Sequence, residues 1–201
     1  NREGEKVSEV LQTPTIKDET SNQILPTVLK LVEQFKDKIR GVAISSAGVV
    51  DANGNIAYAG YTIPGYTNTP IKEQVESTFE IPCTVENDVN CACLGEVWKG
   101  SAQNVSSAVM LTIGTGVGGA VYLKNDLWTG ISYTAGEIGY MLIQGKYFQD
   151  LASTTALLEN YENKTGEKVD GKKLFELAKG MNYRAIDAIE EQMNYLAEGL
   201  V

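Results

Sequence analysis

The chain has 201 residues, of which 43% are hydrophobic and 21% charged, and its formal net charge is −9 at pH 7. That length is enough for one large domain or for two lobes that each have a core. The acidic balance argues against nucleic acid and anionic membranes as partners, because both bind basic surfaces. No apolar run approaches the roughly 18 residues that span a bilayer, and the first residues lack the apolar segment of a signal peptide.

Cysteine and histidine usage limits the chemistry. The chain has three cysteines, Cys83, Cys91 and Cys93, and no histidine. So few cysteines, odd in number, favour a reducing cytoplasm over a disulfide framework. A tetrahedral zinc site needs four ligands, so we expect small buried thiols and no zinc site. Without histidine, a general base has to be a carboxylate.

The first half of the chain alternates strand and helix patterns, which predicts an α/β fold with a mixed sheet. Pro26 and Pro70 fall in the first turns of two helices, where proline is tolerated. The predicted elements are a strand over 7–12, a helix over 23–37, a strand over 41–45, a hairpin at Asn53-Gly54, a helix over 70–79, a strand over 83–86 and a helix over 89–98.

The second half begins with strands on both sides of a glycine-rich turn and is then mostly helical. Ser153 is a candidate N-cap, and Gly166 and Gly180 are candidate helix ends. The predicted helices cover 154–163, 172–179 and 183–200. The last of them carries one apolar stripe, formed by Ile186, Ile189, Met193, Leu196 and Leu200.

The change of pattern near residue 105 predicts two lobes, 1–104 and 105–201, with a cleft between them. A hairpin tip around Glu3-Gly4 has no strand on its other side, and the final helix is followed by no further element. We therefore expect the chain to be an internal piece of a longer polypeptide.

The glycine-rich turn, 114–119, allows two interpretations. It can be a tight hairpin whose glycines supply φ > 0, or a backbone cradle that a phosphate approaches closely. A strand follows it, so it is not a dinucleotide fingerprint, and no Lys-Ser or Lys-Thr makes it a Walker loop. Threonine hydroxyls in and beside the turn can donate to phosphate oxygens, which favours a nucleotide phosphate as the ligand.

Asn87 and Asp88 stand between a predicted strand and a predicted helix. They can simply cap the helix, since Asn and Asp are preferred capping residues. Alternatively, Asp88 lies at the carboxyl end of a strand, where open α/β sheets bind ligands. There its carboxylate could take the proton of a sugar hydroxyl that attacks phosphorus.

Two further segments have both an ordinary and a functional interpretation. Glu137 lies between Gly136 and Gly139 and is either a solvated loop acid or a ligand for vicinal hydroxyls, with the Tyr140 phenol beside it. The segment 45–51 follows a buried strand and is either a plain turn or a loop that brings a backbone amide to a ligand.

In this order the segments resemble the ROK family (repressor, open reading frame, kinase) of sugar kinases and sugar-responsive regulators. The resemblance covers most of residues 41–160, and the ordered set is specific although each piece alone is weak. The matching stretches are Gly48-Val49-Val50-Asp51, Asn87-Asp88-Val89-Asn90, Cys93-Leu94-Gly95-Glu96, Gly114 through Gly119, and Gly136-Glu137-Ile138-Gly139-Tyr140.

The resemblance implies a two-lobed actin-like ATPase (ribonuclease H-like) fold, here without its N-terminal strand and C-terminal segment. It implies that sugar and Mg²⁺–ATP meet in the cleft, with Asp88 as catalytic base. The implied phosphate contacts are Gly114, Thr115 and Gly116. The implied sugar contacts are Gly48, Thr62, Asn87, Asp88, Glu137, Tyr140 and Gln149.

The chain departs from the family pattern at related places. Tyr140 stands where most members have a histidine, the cysteine-rich zinc loop is missing, and Gln149 stands where a sugar-binding glutamate is usual. Loss of zinc together with its ligands is typical of a coherent subgroup without structural zinc. Gln149 can still hydrogen-bond hydroxyls, so these changes bear on which sugar binds and whether its anomeric end must be free.

The leading hypothesis is a cytoplasmic ATP-dependent kinase that forms the 6-phosphate of glucose, an N-acetylated hexosamine or a glucoside. The alternatives are a sugar-responsive ROK transcriptional regulator and a sugar-binding relative without turnover. Family members are often dimers, which makes a homodimer the candidate assembly. The implied N-terminal phosphate loop and C-terminal adenosine segment are absent, so we expect these 201 residues alone to bind ATP poorly and to be inactive.

Overall fold

The structure, a computed structural model, describes residues 3–60 and 63–201. Its first elements are α1 (Ile24–Phe35), β1 (Val42–Ser46), β2 (Val49–Val50), β3 (Ile56–Tyr58), α2 (Ile71–Phe79), β4 (Cys83–Asn87) and α3 (Asp88–Lys99). They are followed by β5 (Ser107–Ile113), β6 (Val117–Leu123), β7 (Asp126–Leu127), a 3₁₀ helix (Ile138–Tyr140), β8 (Leu142–Ile143), β9 (Lys146–Tyr147), α4 (Phe148–Ala152), α5 (Thr154–Thr165), α6 (Gly171–Lys179) and α7 (Tyr183–Leu200).

The chain forms two compact units. The first contains the described residues up to Val105 together with Gly130–Thr134, and the second contains Ser106–Thr129 and Ala135–Val201. None of the helices in the described part of the chain is both long enough and apolar enough to cross a membrane.

In the first unit, β1 and β4 pair in parallel, with Val42 opposite Cys83 and Ser46 opposite Asn87. The carboxyl ends of both strands therefore lie at one edge. β2 and β3 form the hairpin predicted at Asn53-Gly54. The core of this unit is apolar and lies among the strands, α1 and α2; its fully buried members include Ile56, Ile71 and Val75.

The strand predicted over 7–12 is wrong. No strand is assigned there, and Val7, Val10 and Leu11 are exposed. Apolar residues in a short segment form a strand only when another strand satisfies their backbone groups. The described residues offer this segment no such partner. The nearest β-bridge along the chain is an isolated one between Lys17 and Asn22, outside the segment.

The second unit is built on an antiparallel sheet of order β5–β6–β7. β5 and β6 pair from Ser107 opposite Leu123 to Ile113 opposite Val117, so the three residues 114–116 link them. β8 and β9 form a separate hairpin. Its two turn residues, Gln144 (φ 52°) and Gly145 (φ 80°), are both left-handed, as type I′ hairpins require.

The predicted ends of the C-terminal helices are confirmed. The Ser153 hydroxyl accepts from the Ala156 N–H at 3.1 Å and caps α5. Gly166 follows α5 with φ 74°, and Gly180 occupies the C-cap of α6.

The apolar stripe of α7 is only partly the buried face. Leu196 is buried, but Met193 and Leu200 are exposed. The buried positions are Ala185, Ala188, Gln192 and Leu196. Small residues allow α7 to approach α4 and α5 closely: a Cβ on Gly199 would lie 2.5 Å from the Phe148 ring. The buried face of this helix therefore includes small residues as well as large ones, and it is only partly the apolar stripe.

Candidate active site

Asn87 and Asp88 lie at the junction of β4 and α3, and the two side chains have different roles. The Asn87 Oδ1 accepts from the backbone N–H groups of Val89 (2.9 Å) and Asn90 (3.1 Å), so Asn87 is the N-cap. Asp88 is the first helical residue and is exposed; its Oδ1 accepts from the Val89 N–H at 3.0 Å. The capping interpretation therefore holds for Asn87, while the carboxylate of Asp88 faces solvent.

Gly48 is held beside Asn87, whose Nδ2 donates to the Gly48 carbonyl at 3.0 Å. Gly48 has φ 94°, and a Cβ there would lie 2.6 Å from the Tyr58 carbonyl oxygen. No other residue fits this position without strain. The turn after β1 and the start of α3 are thus joined at the carboxyl edge of the two parallel strands.

Glu86 is a member of this cluster that the sequence did not single out. Its Oε1 accepts from the Asn87 N–H at 2.8 Å and from the Asn90 Nδ2 at 3.0 Å. It therefore fixes both ends of the first turn around Asp88. Asp51, in contrast, is used in its own turn, where its carboxylate accepts from the N–H groups of Asn53 and Asn55. Burial raises the pKa of Asp51, but these hydrogen bonds outweigh it and leave that pKa below its usual value.

A cavity of about 1170 Å³ lies in the first unit between the sheet and α3. Its walls are mostly apolar and include Leu94 and Trp98, with Glu86 and Cys91 at the same surface. Burial raises the pKa of the Cys91 thiol, which makes it a poor nucleophile at neutral pH. Asp88 does not line this cavity.

The glycine turn in the second unit does not use left-handed backbone. None of the glycines at 114, 116, 118 and 119 has a positive φ. The turn does close a hairpin between β5 and β6, but the part of the hairpin interpretation in which its glycines supply φ > 0 is wrong. The Gly114 N–H donates to the Gly116 carbonyl at 3.0 Å, which closes the turn. Gly114 and Thr115 are exposed, and a Cβ on Gly114 would meet nothing within 4 Å. The tip of the turn is open to a ligand.

Close backbone approach explains three glycines near this turn. A Cβ on Gly136 would lie within 2.2 Å of the Gly119 carbonyl oxygen, and one on Gly139 within 2.1 Å of the Val117 carbonyl oxygen. Gly119 itself faces the Gly136 carbonyl and the Ile138 side chain. The segment 135–140 therefore packs directly on the backbone of β6, a contact that side chains would prevent.

Glu137, Tyr140 and Gln149 are carried by this packed region. Glu137 precedes the 3₁₀ helix and is half-buried, while the Tyr140 side chain is exposed. The Gln149 Oε1 would lie 2.8 Å from a Cβ on Gly116, and its own Cβ 3.5 Å from one on Gly139. Gln149 thus lies beside both the glycine turn and the segment that carries Glu137.

The glycine turn is also tied to the helices. The Thr154 N–H, at the start of α5, donates to the Gly114 carbonyl at 2.8 Å. α4 connects this contact to Gln149, whose carbonyl accepts from the Ser153 N–H at 3.1 Å. The predicted phosphate turn and the predicted sugar contact Gln149 therefore share one local framework.

Each unit brings part of the predicted set together. Gly48, Asn87 and Asp88 meet in the first unit. In the second unit Gly116 lies beside Gln149, and Gly139, which was not predicted, lies beside Gln149 as well. The other predicted residues of this unit are neighbours of these in the chain: Gly114, Thr115, Glu137 and Tyr140. Thr62, also predicted as a sugar contact, lies outside the described residues.

Within 3–60 and 63–201, no three His, Cys, Asp or Glu side chains are grouped so as to hold a metal ion. All three cysteines are free thiols.

Comparison with known proteins identifies the family. The model of the ROK family matches residues 1–201. A beta-glucoside kinase from Listeria monocytogenes is 33% identical over 183 residues, which are 86% of this chain and 60% of that protein. The chain thus spans about three fifths of the length of this relative and less than half of some others. Xylose repressors also match; a putative one from Caldicellulosiruptor is 27% identical over 94% of this chain and 45% of its own length.

Solved structures of ROK family proteins resemble this chain as well. A ROK family protein from Streptococcus pneumoniae in complex with sucrose superposes with a TM-score of 0.80 at 28% identity, over 100% of this chain and 68% of the other. A ROK family glucokinase from Streptomyces griseus in complex with glucose and AMPPNP gives 0.73 at 25% identity, over 91% and 68%. The expected actin-like ATPase fold is confirmed by these neighbours. The chain belongs to the ROK family.

Proposed function

We propose that the full-length protein is an ATP-dependent sugar kinase that phosphorylates a hydroxyl, the 6-OH, of a hexose or hexose derivative such as a glucoside. Relatives named beta-glucoside kinase and glucokinase support the class of reaction. The observation that carries the proposal is Asp88, an exposed carboxylate at the carboxyl end of β4. Its neighbours Asn87 and Glu86 hold the surrounding backbone in place.

Asp88 is the proposed general base. A carboxylate within hydrogen-bond reach of the hydroxyl accepts its proton as the oxygen attacks phosphorus. Asp88 suits this role because Asn87 is the N-cap, and the Asp88 carboxylate stays exposed although its Oδ1 accepts from the Val89 N–H. Fixing the base at a strand-to-helix junction lowers the cost of orienting it, and positioning supplies most of the rate in such transfers.

The tip of the glycine turn is the proposed phosphate contact. Gly114 and Thr115 are exposed, and the absence of a Cβ at Gly114 leaves space for close approach. The Thr115 hydroxyl and N–H groups of the turn are donors suited to phosphate oxygens. When bound, Mg²⁺–ATP supplies the transferable phosphoryl group. We expect no structural zinc in this protein.

The remaining contacts are proposed to bind the sugar. Glu137 and Gln149 present oxygens and an amide suited to hydroxyl pairs, and Tyr140 adds a phenol. Asn87 uses one Nδ2 hydrogen on Gly48, which leaves its second amide hydrogen for a hydroxyl. Gly48 contributes through its backbone, and Thr62 completes the proposed set.

The test compares two aspartates in the full-length protein. Asp88→Asn should keep sugar affinity within a few-fold and lower turnover at least ~10²-fold, the low end for a general base. Asp126→Asn is the matched control, because Asp126 is also exposed and its Oδ1 also accepts from the next backbone N–H, that of Leu127 at 2.8 Å. An ADP-release assay measures both. Turnover of Asp88→Asn within about threefold of the parent removes Asp88 from the base role.

A sugar-responsive transcriptional regulator is the second candidate, favoured by the match to xylose repressors. A regulator needs a basic DNA-binding segment in addition to this acidic chain. The coding sequence upstream of Asn1 and a gel-shift assay decide between the two. DNA binding released by sugar, without ADP release, would replace the kinase proposal.

A further inference from the structure

Two successive residues, Asn87 and Asp88, are both suited to begin α3. Asparagine and aspartate have nearly the same preference for the N-cap position, so the residue types alone do not decide which of them caps the helix. Their side chains also share one donor, because the Val89 N–H lies 2.9 Å from the Asn87 Oδ1 and 3.0 Å from the Asp88 Oδ1. The choice of cap therefore depends on the contacts around this pair.

Glu86 makes contacts that favour Asn87 as the cap. Its Oε1 accepts from the Asn87 N–H at 2.8 Å and from the Asn90 Nδ2 at 3.0 Å. In a capping box, the side chain of the third helical residue bonds directly to the N–H of the cap. Asn90 is the third residue of α3, and here the Glu86 carboxylate joins its amide to the cap N–H. We call this arrangement the Glu86 relay.

The surroundings of Glu86 make the relay a strong contact. Glu86 is half-buried and lies at the wall of the cavity that also contains Leu94 and Trp98. A carboxylate there loses part of its hydration, which costs free energy unless donors replace the water. The relay supplies two donors, and hydrogen bonds to an ionised acceptor are about twice as strong as neutral ones. Burial of Glu86 is thus compensated by the same bonds that hold Asn87.

Without the relay, α3 can begin one residue later, with Asp88 as its cap. The Asp88 carboxylate would then accept from N–H groups two and three residues further on, those of Asn90 and Cys91. A cap residue has extended backbone, whereas Asp88 is now the first helical residue, so its side chain would also change direction. A carboxylate turned into the helix no longer reaches a sugar hydroxyl, and a misplacement of about 1 Å can cost about 10²-fold in rate.

We propose that Glu86 is a positioning residue: it keeps the cap on Asn87 and so leaves the Asp88 carboxylate available as the base. This inference rests on the proposed kinase function. Glu86 is not one of the proposed sugar contacts and acts through the first turn of α3. The Asn87 Nδ2 bond to the Gly48 carbonyl does not involve the helix. Loss of Glu86 should therefore disturb turnover more than sugar binding.

The test measures ADP release by the full-length protein with glucose, N-acetylglucosamine and cellobiose. Glu86→Ala should lower kcat about ten- to hundredfold, with the KM for the sugar within about threefold of the parent. Glu86→Gln should restore most of the turnover, because its carbonyl oxygen can accept the same two hydrogen bonds. Asn90→Ala removes the other side chain of the relay and should also lower kcat, which provides the test if Glu86→Ala does not fold.

Glu76→Ala is the matched control. Glu76 is also half-buried, and its Oε1 accepts from the Cys83 N–H at 2.9 Å, at the other end of β4. This variant should lower Tm as Glu86→Ala does, but its kcat should stay within about twofold of the parent. A double mutant separates positioning from stability: in the Asp88→Asn background, Glu86→Ala should change the residual turnover by less than about twofold.

Other outcomes overturn the inference. A kcat for Glu86→Ala within about threefold of the parent refutes the positioning role. An equal loss in the parent and in the Asp88→Asn background shows that Glu86 does not act through Asp88, and an equal loss for Glu76→Ala shows general destabilisation. A parent that releases no ADP with any of the three sugars refutes the kinase proposal itself. Hydrogen exchange then tests the relay alone: the Val89 and Asn90 amides should exchange faster in Glu86→Ala than in Glu76→Ala, and equal exchange refutes it.

Discussion

Gly136→Ala tests whether segment 135–140 packs on the backbone of β6. The added Cβ would lie 2.2 Å from the Gly119 carbonyl oxygen, and ordinary contact begins at 3.4 Å, so one backbone has to move by about 1.2 Å. β6 is the central strand of its sheet, paired with β5 at Gly119, and resists that movement. Overpacking of this kind costs about 3 kcal/mol, the upper part of the usual range.

The assay is thermal unfolding of the full-length protein. A loss of about 3 kcal/mol should lower Tm by about 6 °C or more. Gly171→Ala is the control. A Cβ there meets only a methyl group of Thr154, at 4.0 Å, and Gly171 is the first residue of α6. A Tm for Gly136→Ala within about 1 °C of the parent would refute the close approach, and with it the explanation of the glycines near the turn.

Three further changes test contacts inside the individual units. Gln192→Leu removes a buried amide that donates to two carbonyls at the end of α4, at 2.9 and 3.1 Å, and should lower the free energy of unfolding in urea by about 1–3 kcal/mol. Asn87→Ala removes the α3 cap and should cost about 1 kcal/mol in the same measurement, with the α3 amides exchanging faster. Hydrogen bonds from Lys164 lower the pKa values of Asp187 and Glu191. Their contribution is therefore full above the unfolded pKa values and disappears as pH falls through the folded ones. Lys164→Met should flatten the stability-versus-pH curve in that acidic window, and an unchanged curve would remove the network as its cause.

Local patterns predicted the C-terminal helices well because these helices carry their own end signals. The interpretation of 183–200 as one helix agrees with α7, and Ser153 caps α5 through its own hydroxyl. The buried face of α7 was not predictable from hydrophobicity, because its neighbours select small residues such as Ala185 and Ala188. The segment 7–12 shows the other limit: a strand depends on a partner that its own sequence does not specify.

The glycines near the candidate site show why spacing alone predicts a feature without its cause. The glycine run 114–119 suggested positive φ, but none of its glycines has one. The structure instead uses Gly119, together with Gly136 and Gly139 from a distant segment, for close contact between backbones. That contact joins segments more than fifteen residues apart, so no local pattern contains it. Glu86 was missed for a similar reason. Its importance lies in two hydrogen bonds, which its carboxylate accepts from the Asn87 N–H and from the Asn90 side-chain amide, and the sequence pattern does not show them.

The junction of β4 and α3 allows the structural interpretation of Asn87 and the proposed catalytic role of Asp88 to hold together. A helix that begins at a strand end needs an acceptor for its first N–H groups, and Asn87 supplies it while also holding Gly48. The next residue, Asp88, is therefore not the N-cap, and its Oδ1 accepts from one helix N–H, that of Val89. A carboxylate placed there is oriented by the helix start and remains exposed, as Asp88 is. The cap is therefore the reason that the proposed base is available for chemistry.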